Sequence, residues 1–227
     1  MANKLGRQWR RVREMLRWRG PLRFLLIVLR EIFRPFVYWH VWHILQTDLR
    51  QPLPAPYSRE RVDVRIYTGQ EDLERVQEAL RSASELPPAE INSRFGRGDV
   101  VAVAHLGNDA AGSTWMTFCS GLELAFGTTW IVHPDEAVQY DSFVRPEWRG
   151  RGIHSSLNVA LNAHARARGK IRSMGSISIL NSQSLSLARR LGKAKAMTVI
   201  LARVRGVNWT YGKAFGAPLD SRFSRPS

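Results

Sequence analysis

The sequence predicts a single α/β domain of about seven strands with flanking helices, preceded by a basic, aromatic helical arm. Three observations lead there. Beyond residue 61, short alternating or β-branched runs take turns with segments whose apolar residues recur every three or four positions, the strand and helix periods. One glycine-punctuated turn, Arg149-Gly150-Arg151-Gly152, stands between a run of the first kind and a segment of the second. The charge is uneven: of the formal +15, residues Met1 to Arg34 carry ten Lys or Arg against two Glu. At 227 residues and 44% hydrophobic content the chain fills one core well and falls short of two. Its single cysteine, Cys119, excludes an internal disulfide framework and a cysteine-rich zinc site, and fits a reducing, cytoplasmic setting.

Taken in order, the arm (residues 1–50) opens with Leu5, Trp9, Val12 and Leu16 on one helical face and Arg7, Arg10, Arg13 and Arg17 mainly off it, a basic amphipathic helix. Gly20-Pro21 interrupts it, and a second apolar stretch runs from Leu22 to Leu45. Arg30, Glu31, Arg34 and Pro35 break that stretch, against the roughly 20 apolar residues a spanning helix needs. No small-residue cleavage site follows Leu29, although the Arg-rich start shares its composition with transit peptides. Two roles fit residues 1–45: resting on an anionic membrane surface at the cytoplasmic face, or packing on the domain. Nucleic acid fits less well, since no recognition motif accompanies the charge. His40 and His43, three apart, have no third ligand nearby, and no metal is expected.

Residues 51–60 hold three prolines in five positions and read as an extended linker. The domain proper, 61–216, opens with a strand at Val62–Tyr67, a helix at Gln70–Ala83 and a short helix at Glu90–Phe95. Val100–Ala104 and Ser113–Phe118 flank a turn-forming cluster and read as a hairpin. A strand at Val138–Val144, a helix at Gly152–Arg168, a strand at Ser173–Leu180, a helix at Ser182–Leu191 and strands at Ala196–Val204 and Trp209–Phe215 complete it, before a basic tail at 217–227.

A strand, a glycine turn and a helix start leave the first helical N–H groups without internal partners. An anion placed there accepts backbone hydrogen bonds and gains about 0.3–1 kcal/mol from the helix dipole. Gly150 and Gly152 admit close approach, and Arg149 and Arg151 add forked, charge-assisted contacts. The turn suits a pyrophosphate. Neither the Walker nor the Rossmann pattern fits, because Gly-x-x-x-x-Gly-Lys is absent and Gly150-Arg151-Gly152 is followed by Ile153-His154-Ser155.

Val144-x-Pro146-x-x-Arg149-Gly150-Arg151-Gly152-Ile153 resembles the acyl-CoA-binding signature of the GNAT superfamily of N-acyltransferases. Asn181-x-x-Ser184 with Leu191-Gly192 resembles a later pattern of the same family, and together the likeness covers about two-thirds of the chain. It implies a mixed, mainly antiparallel sheet and transfer of an acyl group from acetyl-CoA or a longer acyl-CoA to a primary amine. The resemblance implies that Phe143 and Val144 offer main-chain contacts to pantetheine and the acyl oxygen. It implies that Arg149, Gly150, Arg151, Gly152, Ile153 and His154 wrap the pyrophosphate, with Asn181 and Ser184 near the cofactor's far arm.

The chain departs from the family at three places. His154 stands where Gly or Ala is usual, which leaves the donor open between free CoA and acyl carrier protein. Ala188 replaces a tyrosine that serves many members as general acid, and Val138 replaces a common glutamate. Among the ionisable residues nearby, His133, Asp135, Glu136, Tyr140 and Asp141, the candidate base is Asp141, which strand alternation places with Phe143, opposite Tyr140 and Ser142. The rival reading is a non-catalytic module of the same fold, bound to membrane or nucleic acid through its arm. The acceptor amine carries no legible code.

Overall fold

The computed structural model describes residues 37–58, 61–69, 73–83, 86–125, 128–204, 207–214 and 223–224, together with 25, 26, 28, 29 and 32. The amphipathic helix expected over Leu5–Leu16 and most of the tail lie outside them. The elements are β1 (Val37–Asp48), β2 (Asp63–Tyr67), α1 (Leu73–Ala83), α2 (Pro88–Gly96), β3 (Val100–Leu106) and β4 (Asp109–Thr117). They continue as β5 (Leu122–Ala125), β6 (Thr128–Trp130), β7 (Glu136–Val144), α3 (Ile153–Ala167), β8 (Arg172–Ser178), α4 (Ser182–Arg190), β9 (Ala194–Val204), β10 (Val207–Ala214) and β11 (Phe223–Ser224).

Among the described residues, eight strands form the main sheet in the order β10-β9-β1-β8-β7-β4-β3-β2. Seven are those read from the sequence beyond the linker. The eighth corrects the reading of the arm: Val37–Asp48, expected within a helical segment, is a twelve-residue strand inserted antiparallel between β8 and β9. Its residues explain the outcome, since Val37, Tyr38, Trp39, Val41, Trp42, Ile44 and Thr47 are β-branched or aromatic and suit a pleated, half-buried surface better than a helix. His40 and His43 therefore fall on opposite faces of β1, and His43 Nδ1 lies 2.9 Å from Thr198 Oγ1.

Among the described residues, the only parallel neighbours in the main sheet are β7 and β8, joined by the crossover helix α3. β3 is buried on both faces, which explains its unbroken Val100–Ala104 run. Val100, Ala102 and Ala104 pack with Ile153, Leu157 and Leu161 of α3. Val101 and Val103 pack with Val76, Leu80, Ile91 and Phe95 of α1 and α2 on the other face. A small sheet, β11-β6-β5, brings buried Trp130 against Ile44, Val138, Met174 and Met197. No strand was expected at β5 and β6, whose lengths of four and three residues leave little periodicity to read.

Candidate functional site

β7 and β8 stay in register only from Glu136↔Arg172 to Gln139↔Gly175. Beyond that point β7 continues to pair with β4 as far as Val144, and β8 with β1 as far as Ser178. The two parallel strands diverge, and the facing edges of Tyr140–Val144 and Ser176–Ser178 border a wedge in the middle of the sheet. An extended polar chain entering that wedge meets main-chain donors and acceptors as an added strand would.

The glycine turn stands at the mouth of the wedge. Pro146–Trp148 forms one turn of 3₁₀ helix, and Gly150 and Gly152 are left-handed, with φ of 81° and 84°. Gly152 caps α3, whose Ser155 and Ser156 N–H groups bond back to its carbonyl. Arg149 Nε donates to Val144 O at 3.1 Å, folding that side chain onto the strand end. The Arg151 guanidinium lies 4.8 Å from the centre of the Trp148 ring. Ile153 is buried, and His154 lies beside Lys193, burial holding the imidazole down to about 4 and the lysine down to about 8.

The two glycines differ in what surrounds them. A β-carbon at Gly150 would meet nothing within 4 Å, whereas one at Gly152 would sit 2.3 Å from Tyr57 O and 2.6 Å from Ser58 Cα. The linker thus passes directly over the start of α3. Tyr57 N donates to Ser155 Oγ at 2.9 Å, Ser58 Oγ to Arg151 O at 3.2 Å, and Tyr57 Oη to Arg190 O at the end of α4 at 2.5 Å.

Asn181 is the N-cap of α4, its Oδ1 accepting from Ser184 N at 3.1 Å. The spacing that carries the second resemblance is accounted for locally by this cap. Ala188 and Val138, at the positions of the two missing family groups, are both buried.

Asp141 lies in a β-bulge. Ser113 pairs with Phe143 but Trp115 with Tyr140, so β7 carries one residue more than β4 there, and Asp141 takes a φ of 46°. The extra residue breaks the alternation expected from sequence: Tyr140 and Asp141 both turn toward α2, while Ser142 accepts from Thr114 Oγ1 at 3.1 Å on the other face. Arg94 explains the turn. Its guanidinium donates to Asp141 Oδ2 at 2.6 Å and Glu90 Oε1 at 2.8 Å, and lies 5.0 Å from the ring centres of both Trp115 and Tyr140. Burial opposes the Arg94 charge, but these partners outweigh it and raise the pKa above that of a free arginine. Sequence reasoning missed Arg94; the Glu90–Arg94 spacing was visible, but not that the arginine would be buried.

The remaining candidates are placed elsewhere. Tyr140 donates to Asp99 Oδ2 at 2.7 Å, and burial first, then Asp99, raises its pKa far above the ordinary phenol value. Asp135 and Glu136 pair with Arg172 at the opposite end of β7 from the wedge. Where β7 and β8 part, Gln139 Nε2 donates to Asn162 Oδ1 at 2.7 Å and Ser173 Oγ at 3.2 Å, a buried polar cluster that the sequence did not reveal. Among the described residues, no group of three or more His, Cys, Asp or Glu side chains is placed to hold a metal ion.

No family model and no curated protein matches the chain. Solved structures do. A GCN5-related N-acetyltransferase from Sphaerobacter thermophilus aligns with a TM-score of 0.52 and 20% identity over 78% of this chain and 56% of its own. An acetyltransferase of the GNAT family from Novosphingobium aromaticivorans, described as putative, aligns at 0.46 and 18% over 74% and 66%. AAC(6')-Iy, in complex with a CoA-S-monomethyl-acetylneamine bisubstrate analogue, aligns at 0.45 and 17% over 59% and 90%. The chain matches about two-thirds or less of the Novosphingobium and Sphaerobacter proteins, and at these identities the likeness is one of fold. The chain has the GNAT fold.

Proposed function

We propose that this chain, built on the GNAT fold, is an N-acyltransferase that moves an acyl group from the pantetheine thioester of an acyl-CoA to a primary amine, with acetyl the simplest group. The observation that carries the proposal is the parting of β7 and β8 beyond Gln139 and Gly175, with the left-handed glycine turn of α3 at its mouth. The pantetheine arm would lie along Phe143 and Val144, and phosphate would meet the main chain from Arg149 to His154, with Asn181 and Ser184 beyond it.

In the proposed reaction the neutral amine nitrogen attacks the thioester carbonyl. The C–N bond forms, the C–S bond breaks, the amine gives up one proton and the departing thiolate takes one up. Holding both reactants in the wedge supplies the orientation term. Asp141 is proposed as the acceptor of the amine proton, directly or through water: one oxygen is fixed by Arg94, its side chain is 43% exposed, and it stands on the wedge-bordering part of β7. Base assistance of this kind contributes roughly 10²–10⁴-fold. Calorimetry with acetyl-CoA, octanoyl-CoA and free CoA tests the reading, and absence of binding by all three at millimolar concentration overturns it.

For the arm we propose contact with an anionic membrane from the cytoplasmic side. Leu25, Leu29 and Ile32 are exposed at helical spacing in the basic region, and among the described residues no helix is long and apolar enough to cross a bilayer. Co-sedimentation with vesicles of anionic and of neutral lipid tests this; equal binding to both removes the electrostatic argument.

A further inference from the structure

We propose that the β9–β10 hairpin is a second membrane contact, and that together with the helix ahead of β1 it docks the wedge end of the sheet on an anionic bilayer. The inference rests on the membrane reading of the arm given above and adds to it a contact in the folded domain and an orientation.

Among the described residues, the exposed large apolar side chains are not scattered. Apart from Tyr57 they fall in two segments: Leu25, Leu29 and Ile32 of the helix before β1, and Ile200, Val204 and Val207 of the hairpin. The register brings these segments together, since Val204 pairs with Val37, the first residue of β1, and with Val207 across the hairpin. Ile32 stands five residues before Val37, a span of at most about 18 Å. Ile200 and Val204 are four apart on β9 and Val207 is directly opposite Val204, so all three share one face of the sheet. The alternate residues of β9, Val199 and Leu201, are buried in one cluster with Trp130. One face of β9 serves the core, and the other is left in solvent.

Charge indicates what covers that face. From Ile32 to Thr47 and from Ala194 to Ala214 the chain carries five Lys or Arg and no Asp or Glu. The same stretches hold Trp39, Trp209 and Tyr211, residue types that favour the boundary between lipid headgroups and hydrocarbon. An apolar patch within acid-free, basic and aromatic segments complements an anionic lipid surface, where apolar burial and electrostatic attraction act together. A second copy would meet the same positive charge. The position of the patch sets the orientation. β8 ends at Ser178, which pairs with Trp42, and β1 extends five residues past that pair to Val37. The hairpin turn therefore projects roughly 17 Å beyond the end of β8, at the end of the sheet where β7 and β8 part. Docking there turns the mouth of the wedge toward the bilayer.

The test is co-sedimentation of the full chain with vesicles of equimolar phosphatidylcholine and phosphatidylglycerol. Wild type is compared with the triple variant Ile200→Thr, Val204→Thr, Val207→Thr, which keeps β-branched side chains and the net charge and removes only apolar surface. The variant should bind at least tenfold more weakly. Binding within twofold of wild type, in a variant with wild-type melting, overturns the hairpin contact and leaves the arm reading standing, whereas failure of wild type to bind removes the arm reading as well. A polarity-sensitive fluorophore tests the orientation and needs no loss of the patch. Attached at Val207→Cys in a Cys119→Ser background, its emission should shift to the blue when the vesicles are added. Attached to the native Cys119, exposed at the opposite end of the sheet just after the Thr117↔Val138 pair, it should not shift. No shift at position 207, or equal shifts at both positions, overturns the proposal. A shift at position 207 that needs no vesicles and grows with protein concentration also overturns it, and assigns the face to a second copy.

Discussion

Gly152→Ala compared with Gly150→Ala isolates the packing of the linker on the turn. Both glycines are left-handed, at 84° and 81°, so each alanine carries the same backbone penalty of about 1–2 kcal/mol, offset equally by the loss of about 0.4–1 kcal/mol of unfolded-chain freedom. Only at Gly152 does the new methyl meet backbone, 2.3 Å from Tyr57 O and 2.6 Å from Ser58 Cα, while at Gly150 it meets open space. Neither atom belongs to a flexible side-chain tip, and Tyr57 N is tied to Ser155. Overpacking of this kind costs about 1–3 kcal/mol. At about 2–4 °C per kcal/mol for a chain of this size, Gly152→Ala should melt roughly 2–12 °C below Gly150→Ala. Urea titration of the two variants and wild type, with equal slopes, gives the free energies directly. Stabilities within about 0.5 kcal/mol of each other would refute the packing of Tyr57 on Gly152, and with it the reason this position needs glycine.

Further outcomes follow from the same geometry. A chain beginning at Pro54 lacks β1, which pairs with both β8 and β9, and should not fold cooperatively; one beginning at Pro35 should, and circular dichroism melts compare them. Asp141→Asn keeps an acceptor for Arg94 and tolerates a φ of 46°, so stability should change by less than about 1 kcal/mol. Its kcat/KM for amine acylation should fall about 10²–10⁴-fold, and an unchanged kcat/KM excludes the base role. His154, held at about 4 by burial against 6.5 when free, is neutral in the fold while the unfolded chain takes up a proton between those values. Stability should therefore fall on acidification from pH 6.5 to 4, by about 3 kcal/mol from this group, and His154→Asn should flatten that slope. Arg94→Met should cost about 2–4 kcal/mol by urea denaturation, since it removes a buried guanidinium between two rings and frees Asp141 from its partner.

The order of elements, the hairpin, the glycine turn and the helix it opens were legible in the sequence, because each depends on neighbours a few positions away. Periodicity reports which face of a segment is apolar, and a glycine reports a backbone that other residues avoid. Placing Val37–Asp48 within a helical arm was the wrong expectation; its β-branched and aromatic content was the better guide, and even that content does not say between which strands the segment lies. The facing of Asp141 reversed relative to Tyr140 through one bulged residue, whose position depends on register with β4, and Arg94 owes its burial to Trp115 and Tyr140 from two other strands.

Gly152 shows the division most sharply. The sequence by itself determined that a glycine would stand at the start of a helix after a strand, since that follows from local chain geometry. Only the tertiary structure decided that the space beside it belongs to Tyr57 and Ser58, ninety-odd residues earlier in the chain, because long-range packing is set by the whole fold and by no nearby pattern.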